Sequence, residues 1–174
     1  ESNIDVSNAQ PKILNHNKKD YFEYAGAAGG YIDSYGYPFC RGRIFSTIEK
    51  DFDQYNDNKK IFWASGACMF IRSKTWNELN GFDEDLFAHF EEIDFCWRAF
   101  NKNYNTFFIS DSEVFHMGAA SIKISTFKWY LNFRNSLIVL VKNLPKKDLF
   151  RILFIRIILD IIAAYRFLIM GNIN

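Results

Sequence analysis

The chain has 174 residues, enough for one domain or for part of a larger one. Apolar residues make up 49% and charged residues 24%, so there is material for a core and the composition is not that of a disordered segment. A net charge of +1 with no basic tract gives no electrostatic footprint for nucleic acid, and DNA or RNA is not an expected partner.

Residues 1–25 are polar and rich in Asn and Lys, interrupted by a short apolar patch at Ile13-Leu14. From Gly26 to Arg43 the glycines and Pro38 rule out a helix interior and predict an ordered loop of tight turns, rich in tyrosine and ending in Arg41 and Arg43. Residues 44–60 read as a polar, acidic loop. Ile61 to Arg72 is a nearly continuous apolar run, predicting a turn at Ser65-Gly66 that feeds a buried strand. Ser73 is placed to cap a short helix through Leu79, ended by Asn80-Gly81.

Six carboxylates then fall between Asp83 and Asp94, interleaved with Leu86, Phe87, Phe90 and Ile93. Acids held this close to aromatic residues bound for a core lose hydration, which is costly unless a cation or a chemical task compensates. A helix from about Glu91 to Asn101 puts Glu91, Asp94, Phe95 and Arg98 on one face and leaves Glu91 and Glu92 in its first turn. Thr106–Ile109 and Glu113–His116 read as two short strands around a turn at Ser110–Ser112, followed by a small-residue loop, Met117–Ser121. From Ser125 the spacing becomes helical up to Leu144-Pro145, and a second apolar helix runs from about Lys147 to Met170. That helix is broken by Arg151, Arg156, Asp160 and Arg166, so it falls short of the ~20 apolar residues that cross a bilayer. It suits an interfacial position or packing on a part of the protein outside the chain.

Cys40, Cys68 and Cys96 form no CxxC pair, so neither a structural zinc site nor a disulfide framework is indicated. They read as small buried thiols in a reducing compartment, which places the chain in the cytoplasm, at the inner face of the membrane if the last helix docks there. Neither end resembles a targeting segment, and both read as cuts within a longer protein.

The order of the parts carries more than any one of them. Trp63 to Arg72, then Gly81 to Arg98 with Glu91-Glu92-Ile93-Asp94 at its centre, then Val114 to Ser121 around His116, resemble the C-terminal half of bacterial family 2 glycosyltransferases. Arg134-Asn135 in the following helix is similar to that family's R-N pair. The resemblance covers residues 60–140 and implies a partial GT-A fold: an α/β layer with a few strands of a mixed sheet and C-terminal helices. It divides the chain into an acceptor and catalytic half, residues 1–124, and a helical extension, residues 125–174.

The same resemblance implies an inverting transfer from a nucleotide-diphosphate sugar to a saccharide or lipid-linked acceptor, as in building a cell-surface polysaccharide. Glu92 stands where relatives carry the catalytic Asp, with Glu91 before it as the alternative base. Gly66 and Ala67 would let backbone approach the sugars. Asp83, Glu84, Trp63 and Arg98 would line the substrate site. His116 would help hold a divalent metal, Mg or Mn, or the diphosphate. No Asp-x-Asp follows an apolar strand, and Asp51-Phe52-Asp53 matches the letters only, in a polar loop. Two other classes compete: a non-catalytic sugar-binding or interaction module of the same fold, and a metal-dependent hydrolase using His89, Glu92 and His116.

Overall fold

A computed structural model describes residues 5–118 and 126–169. Its centre is a four-stranded mixed sheet in the order β6-β8-β1-β7, formed by Val6–Asn15 (β1), Lys59–Ile61 (β6), Phe70–Ile71 (β7) and Asn105–His116 (β8). β1 runs parallel to β8 from Val6↔Asn105 to Asn15↔His116, while β6 and β7 pair antiparallel at the two edges. Two small hairpins precede the edge strands: Gly30–Ile32 with Pro38–Cys40 (β2, β3), and Arg43–Ile44 with Thr47–Ile48 (β4, β5). The helices are Ser73–Glu78 (α1), Glu91–Asn101 (α2), Thr126–Asn143 (α3) and Lys146–Ile169 (α4). The expected α/β layer with C-terminal helices is therefore present. No helix among the described residues is long and apolar enough to cross a membrane.

The polar opening segment proves to be the central strand. Alternation fails as a guide in β1 because Ser7, Asn8, Gln10 and Lys12 are all buried alongside Ile13 and Leu14. Each polar group has a partner, as burial requires. Asn8 Nδ2 donates to Cys96 Sγ on α2 (3.2 Å), and Gln10 Nε2 donates to Gly26 O (2.7 Å). Lys12 Nζ meets Asp51 and Asn56 (both 2.9 Å) and Glu113 (3.3 Å), with Asp53 at 3.8 Å. Asp51-Phe52-Asp53 thus serves to neutralise a buried lysine.

Three further expectations are corrected in detail. Beyond Ile61, which closes β6, the run Ile61–Arg72 yields only the two-residue edge strand β7, with Phe70 exposed, because the backbone turns at Ser65–Cys68 where Cys68 N donates to Ser65 O (3.2 Å). Ser73 is the first residue of α1, not its cap; Arg72 is the cap and makes no side-chain capping bond. The two strands expected around Ser110–Ser112 are one strand, β8, whose register skips from Ile109 to Glu113. Asn58 Oδ1 holds that irregularity by accepting from the Ser110 amide (2.8 Å) and hydroxyl (3.1 Å). The division at residues 124/125, the start of the first C-terminal helix at Ser125, the end of the second at Met170 and most of the Met117–Ser121 loop lie outside the described residues.

One face of the sheet carries Leu14, Phe22, Ile61 and Phe108 with Ala27, Ala28 and Ala64. Elsewhere Trp63 packs with Cys40, Ile93 and Cys96, and α3 adds Val139 and Leu140 to Leu86, Trp97 and Ile152. Each fully buried large side chain here contributes about 1.5–3 kcal/mol relative to exposure. Gly30 is required where β2 crosses Trp63: a Cβ built there would fall inside the indole, whose N–H donates to Tyr31 O (2.8 Å). Gly30→Ala is expected to destabilise the protein by about 1–3 kcal/mol through overpacking against this fixed ring, measured as a lower urea midpoint.

Candidate active site

The segment from Gly81 to Glu92 is an irregular turn ahead of α2, and its geometry departs from ordinary backbone. A short 3-10 turn, Glu84–Leu86, is capped by Asp83, whose side chain accepts from Asp85 N (3.0 Å). Phe87 (φ 62°), His89 (φ 66°) and Phe90 (φ 74°) then all adopt positive φ without being glycine. Such conformations cost about 1–2 kcal/mol per residue and persist only where surroundings impose them. Phe90 is also the N-cap of α2, so the helix starts without a side-chain cap.

Directly after this turn lie Glu91 and Glu92. Glu91 Oε2, Glu92 Oε2 and His89 Nε2 are all sealed from solvent with no hydrogen-bond partner. Three orphaned polar atoms within four residues depart from the rule that buried polar groups are paired, which makes this turn the candidate site. Burial, and then the neighbouring Glu91 carboxylate, push the Glu92 carboxyl up to about 7, against the pull of the Glu92 and Ile93 amides. Burial, helped by Lys128 and opposed by Glu91, holds the His89 imidazole below its ordinary value. Gly66 faces Glu92: a Cβ at Gly66 would lie 4.0 Å from Glu92 Cβ, so the backbone there leaves room over the carboxylate. The 65–67 turn is fixed by Gln10, whose Oε1 accepts from Ser65 N (2.7 Å), and by Ser65 Oγ, which accepts from Ala67 N (3.2 Å).

A raised carboxyl changes the usual sign of the pH dependence. Glu92 titrates near 4.5 when unfolded and near 7 when folded, so the folded state binds more protons between those values. Stability therefore falls as pH rises from about 4.5 to 7, by roughly 3 kcal/mol, and then levels. Glu92→Gln removes that titration. Its urea midpoint relative to the parent is expected to rise from pH 4.5 to pH 7.5.

The remaining candidates fall in three places. Asp94, fully buried, accepts from Arg98 Nε (2.7 Å), Asn143 Nδ2 (2.8 Å) and Lys142 Nζ (3.1 Å). Arg98 also donates to Leu79 O (2.5 Å) and Gly81 O (2.8 Å), and Lys142 pairs with Asp83 and holds its carboxyl below the usual range. This network ties α1, α2 and α3 together beside a cleft of about 200 Å³ lined by Gly81, Phe82, Asp83, Arg98 and Lys142. Glu84 is exposed, whereas Trp63 is buried with its indole N–H committed to a backbone carbonyl.

His116 ends β8, apart from the 89–92 turn in sequence, with its ring about one-third exposed. Its Nδ1 is buried and faces Glu23 Oε1 at 3.6 Å, so the exposure belongs to the rest of the ring. A carboxylate behind an imidazole is the arrangement that orients a histidine ligand. Among the described residues, however, no three His, Cys, Asp or Glu side chains gather as a metal-binding group. These residues do not make a metal centre by themselves. The three cysteines are unpaired, and burial pushes the Cys96 thiol up to about 12, which keeps it protonated and inert.

Glu23 sits in a polar stretch of the sequence with nothing to single it out. Asn135 stands out there only through the resemblance of Arg134-Asn135 to the family's R-N pair.

An irregular acidic turn feeding a helix beneath a mixed sheet matches what comparison of the chain with known families finds: residues 30–170 fit glycosyl transferase family group 2, and the chain belongs to that family. The mixed sheet with its C-terminal helices is consistent with that family's nucleotide-sugar transferase fold. Among individual proteins, it is 29% identical over 84 residues to N-acetylglucosaminyl-diphospho-decaprenol L-rhamnosyltransferase of Mycobacterium tuberculosis, a match covering 48% of this chain and 27% of that protein. It is 30% identical over 79 residues to a low-salt glycan biosynthesis hexosyltransferase of Haloferax volcanii, covering 44% of this chain and 26% of that protein. The aligned part thus spans about a quarter of the length of these relatives.

Proposed function

We propose that the protein is an inverting glycosyltransferase, moving a sugar from a nucleotide-diphosphate donor to a saccharide or lipid-linked acceptor in the synthesis of a surface glycan. The observation that carries this reading is Glu92 at the head of α2, a partly buried residue whose Oε2 is sealed from solvent without a hydrogen-bond partner and whose carboxyl is pushed by burial up to about 7. A general base works best when its pKa lies close to the working pH. Glu92 takes the proton of the acceptor hydroxyl as that oxygen bonds to the anomeric carbon. The bond from that carbon to the diphosphate oxygen breaks in the same displacement, and the nucleoside diphosphate leaves with the electron pair. Glu91 keeps the Glu92 carboxyl high by its charge, and stands as the alternative base.

In this reading Gly66 and Ala67 give the sugars close access to backbone, and Asp83 and Glu84 line the acceptor side. Trp63 and Arg98 hold the frame from behind. His116, backed by Glu23, offers one ligand or hydrogen bond toward a divalent metal or the diphosphate. The relative from Mycobacterium tuberculosis carries a lipid-diphosphate acceptor in its name, which supports a lipid-linked acceptor here. Phe150, Phe154, Ile161, Ile162 and Tyr165 are exposed on α4 beside Arg151 and Arg166, a composition suited to peripheral contact with a membrane that holds such a lipid.

A screen of nucleotide sugars against the complete protein that carries this chain tests the proposal. Transfer with inverted anomeric configuration is expected, and the 174-residue chain alone is expected to turn over no donor. Sugar binding by the complete protein without transfer to any acceptor would instead favour a non-catalytic module.

A further inference from the structure

We propose that Asn135, oriented by Arg134, is a positioning residue: it clamps the strained turn 85–90 and so fixes where the carboxylate of Glu92 lies. This rests on the reading of Glu92 as the base. Asn135 is completely buried in α3, and its Nδ2 lies within hydrogen-bonding distance of three carbonyls of that turn: Leu86 O (2.9 Å), Ala88 O (2.9 Å) and His89 O (2.7 Å). Its Oδ1 accepts from Arg134 Nε (2.9 Å), which sets the amide so that nitrogen, not oxygen, faces the carbonyls. Arg134 Nη2 adds bonds to Asp85 O (2.7 Å) and Leu86 O (3.3 Å). Every carbonyl from Asp85 to His89 except that of Phe87 is therefore held by this pair of residues.

The clamp explains two oddities together. Phe87, His89 and Phe90 are held at positive φ without glycine, and Phe90, the N-cap of α2, lies in the left-handed region and makes no side-chain capping bond. A turn with several disfavoured residues relaxes unless its carbonyls are fixed from outside. Relaxation would rotate the first turn of α2, which carries Glu91 and Glu92, and let water reach carboxyl oxygens that are now dry. Asn135 touches no reacting atom in this scheme and acts through the backbone of the turn.

Asn135→Ala in the complete protein is expected to lower kcat about 10²-fold, the scale of a catalytic group displaced by 1 Å, with donor affinity changed by no more than about threefold. The acid limb of the pH–rate profile is expected to move down from near 7 toward the ordinary glutamate range as Glu92 becomes hydrated. Amide exchange of residues 86–90 is expected to quicken roughly tenfold or more. Phe87→Gly, at an exposed positive-φ position, is expected to recover about fivefold to tenfold of the lost rate by removing one left-handed penalty. Should Asn135→Ala fail to fold, Asn135→Asp keeps the shape, removes the donors and is expected to show the same signature. Parental kcat in these variants overturns the proposal. So does a loss of rate with unchanged exchange of 86–90, or one that Phe87→Gly does not relieve. Full rate in Glu92→Gln would remove the base assignment alone, because exchange and glycine rescue report on the clamp without it.

Discussion

Glu92→Gln in the complete protein is expected to lower kcat by roughly 10³-fold, within the range a positioned general base supplies, while the donor still binds. Glutamine keeps the volume and the backbone of the helix start and removes only the ability to accept the proton. The effect therefore appears in kcat, not in the donor dissociation constant, and single-turnover kinetics with a titration of donor separates the two. The same substitution is expected to stabilise the fold above pH 7, because it removes a charge that burial and the neighbouring Glu91 disfavour, one of whose oxygens is dry and unpartnered. Loss of rate with gain of stability is the pattern of a residue kept for chemistry. Glu91→Gln shifts the expectation in a defined way. Without the Glu91 charge, the Glu92 carboxyl drops, and the acid limb of the pH–rate profile moves to lower pH. If Glu91→Gln removes transfer and Glu92→Gln leaves it near normal, the base is Glu91.

The second large effect is expected at Asp94. It is buried beneath Arg98, Lys142 and Asn143, and Arg98 in turn fixes the carbonyls of Leu79 and Gly81. Asp94→Ala leaves two cations sharing a site without their common anion, and the expected loss is about 3–4 kcal/mol of unfolding free energy. Urea denaturation of the purified protein measures it. A loss below about 1 kcal/mol would show that the pair behaves like an exposed one, with Asp83 holding Lys142 in its place. The two substitutions should separate cleanly. Glu92→Gln removes rate and adds stability, whereas Asp94→Ala removes stability first.

Much of this could be read from residue order. α2 begins at Glu91 and ends at Asn101, as its spacing predicts, because a helix start with acids in the first turn and an Asp94–Arg98 pair four apart is decided locally. The Gly26–Arg43 segment is a set of turns, as its glycines and proline require, although the hairpin of β2 and β3 within it depends on Gly30 fitting under Trp63. β1 was opaque for the opposite reason. Ser7, Asn8, Gln10 and Lys12 look like a solvated segment, and their partners Cys96, Gly26, Ser65, Asp51 and Glu113 lie up to about a hundred residues away in the chain, where no local pattern can register them.

The acidic, aromatic segment shows where the boundary falls within a single site. The sequence by itself determined that Glu91 and Glu92 would open a helix close to core aromatics, since charge, spacing and hydrophobicity are properties of neighbours in the chain. Which oxygens would be left dry and unpaired, and which way the turn before them would bend, depended on α3 arriving with Arg134 and Asn135 almost fifty residues later. Desolvation and backbone strain are set by what packs around a group, so only the tertiary structure could decide them.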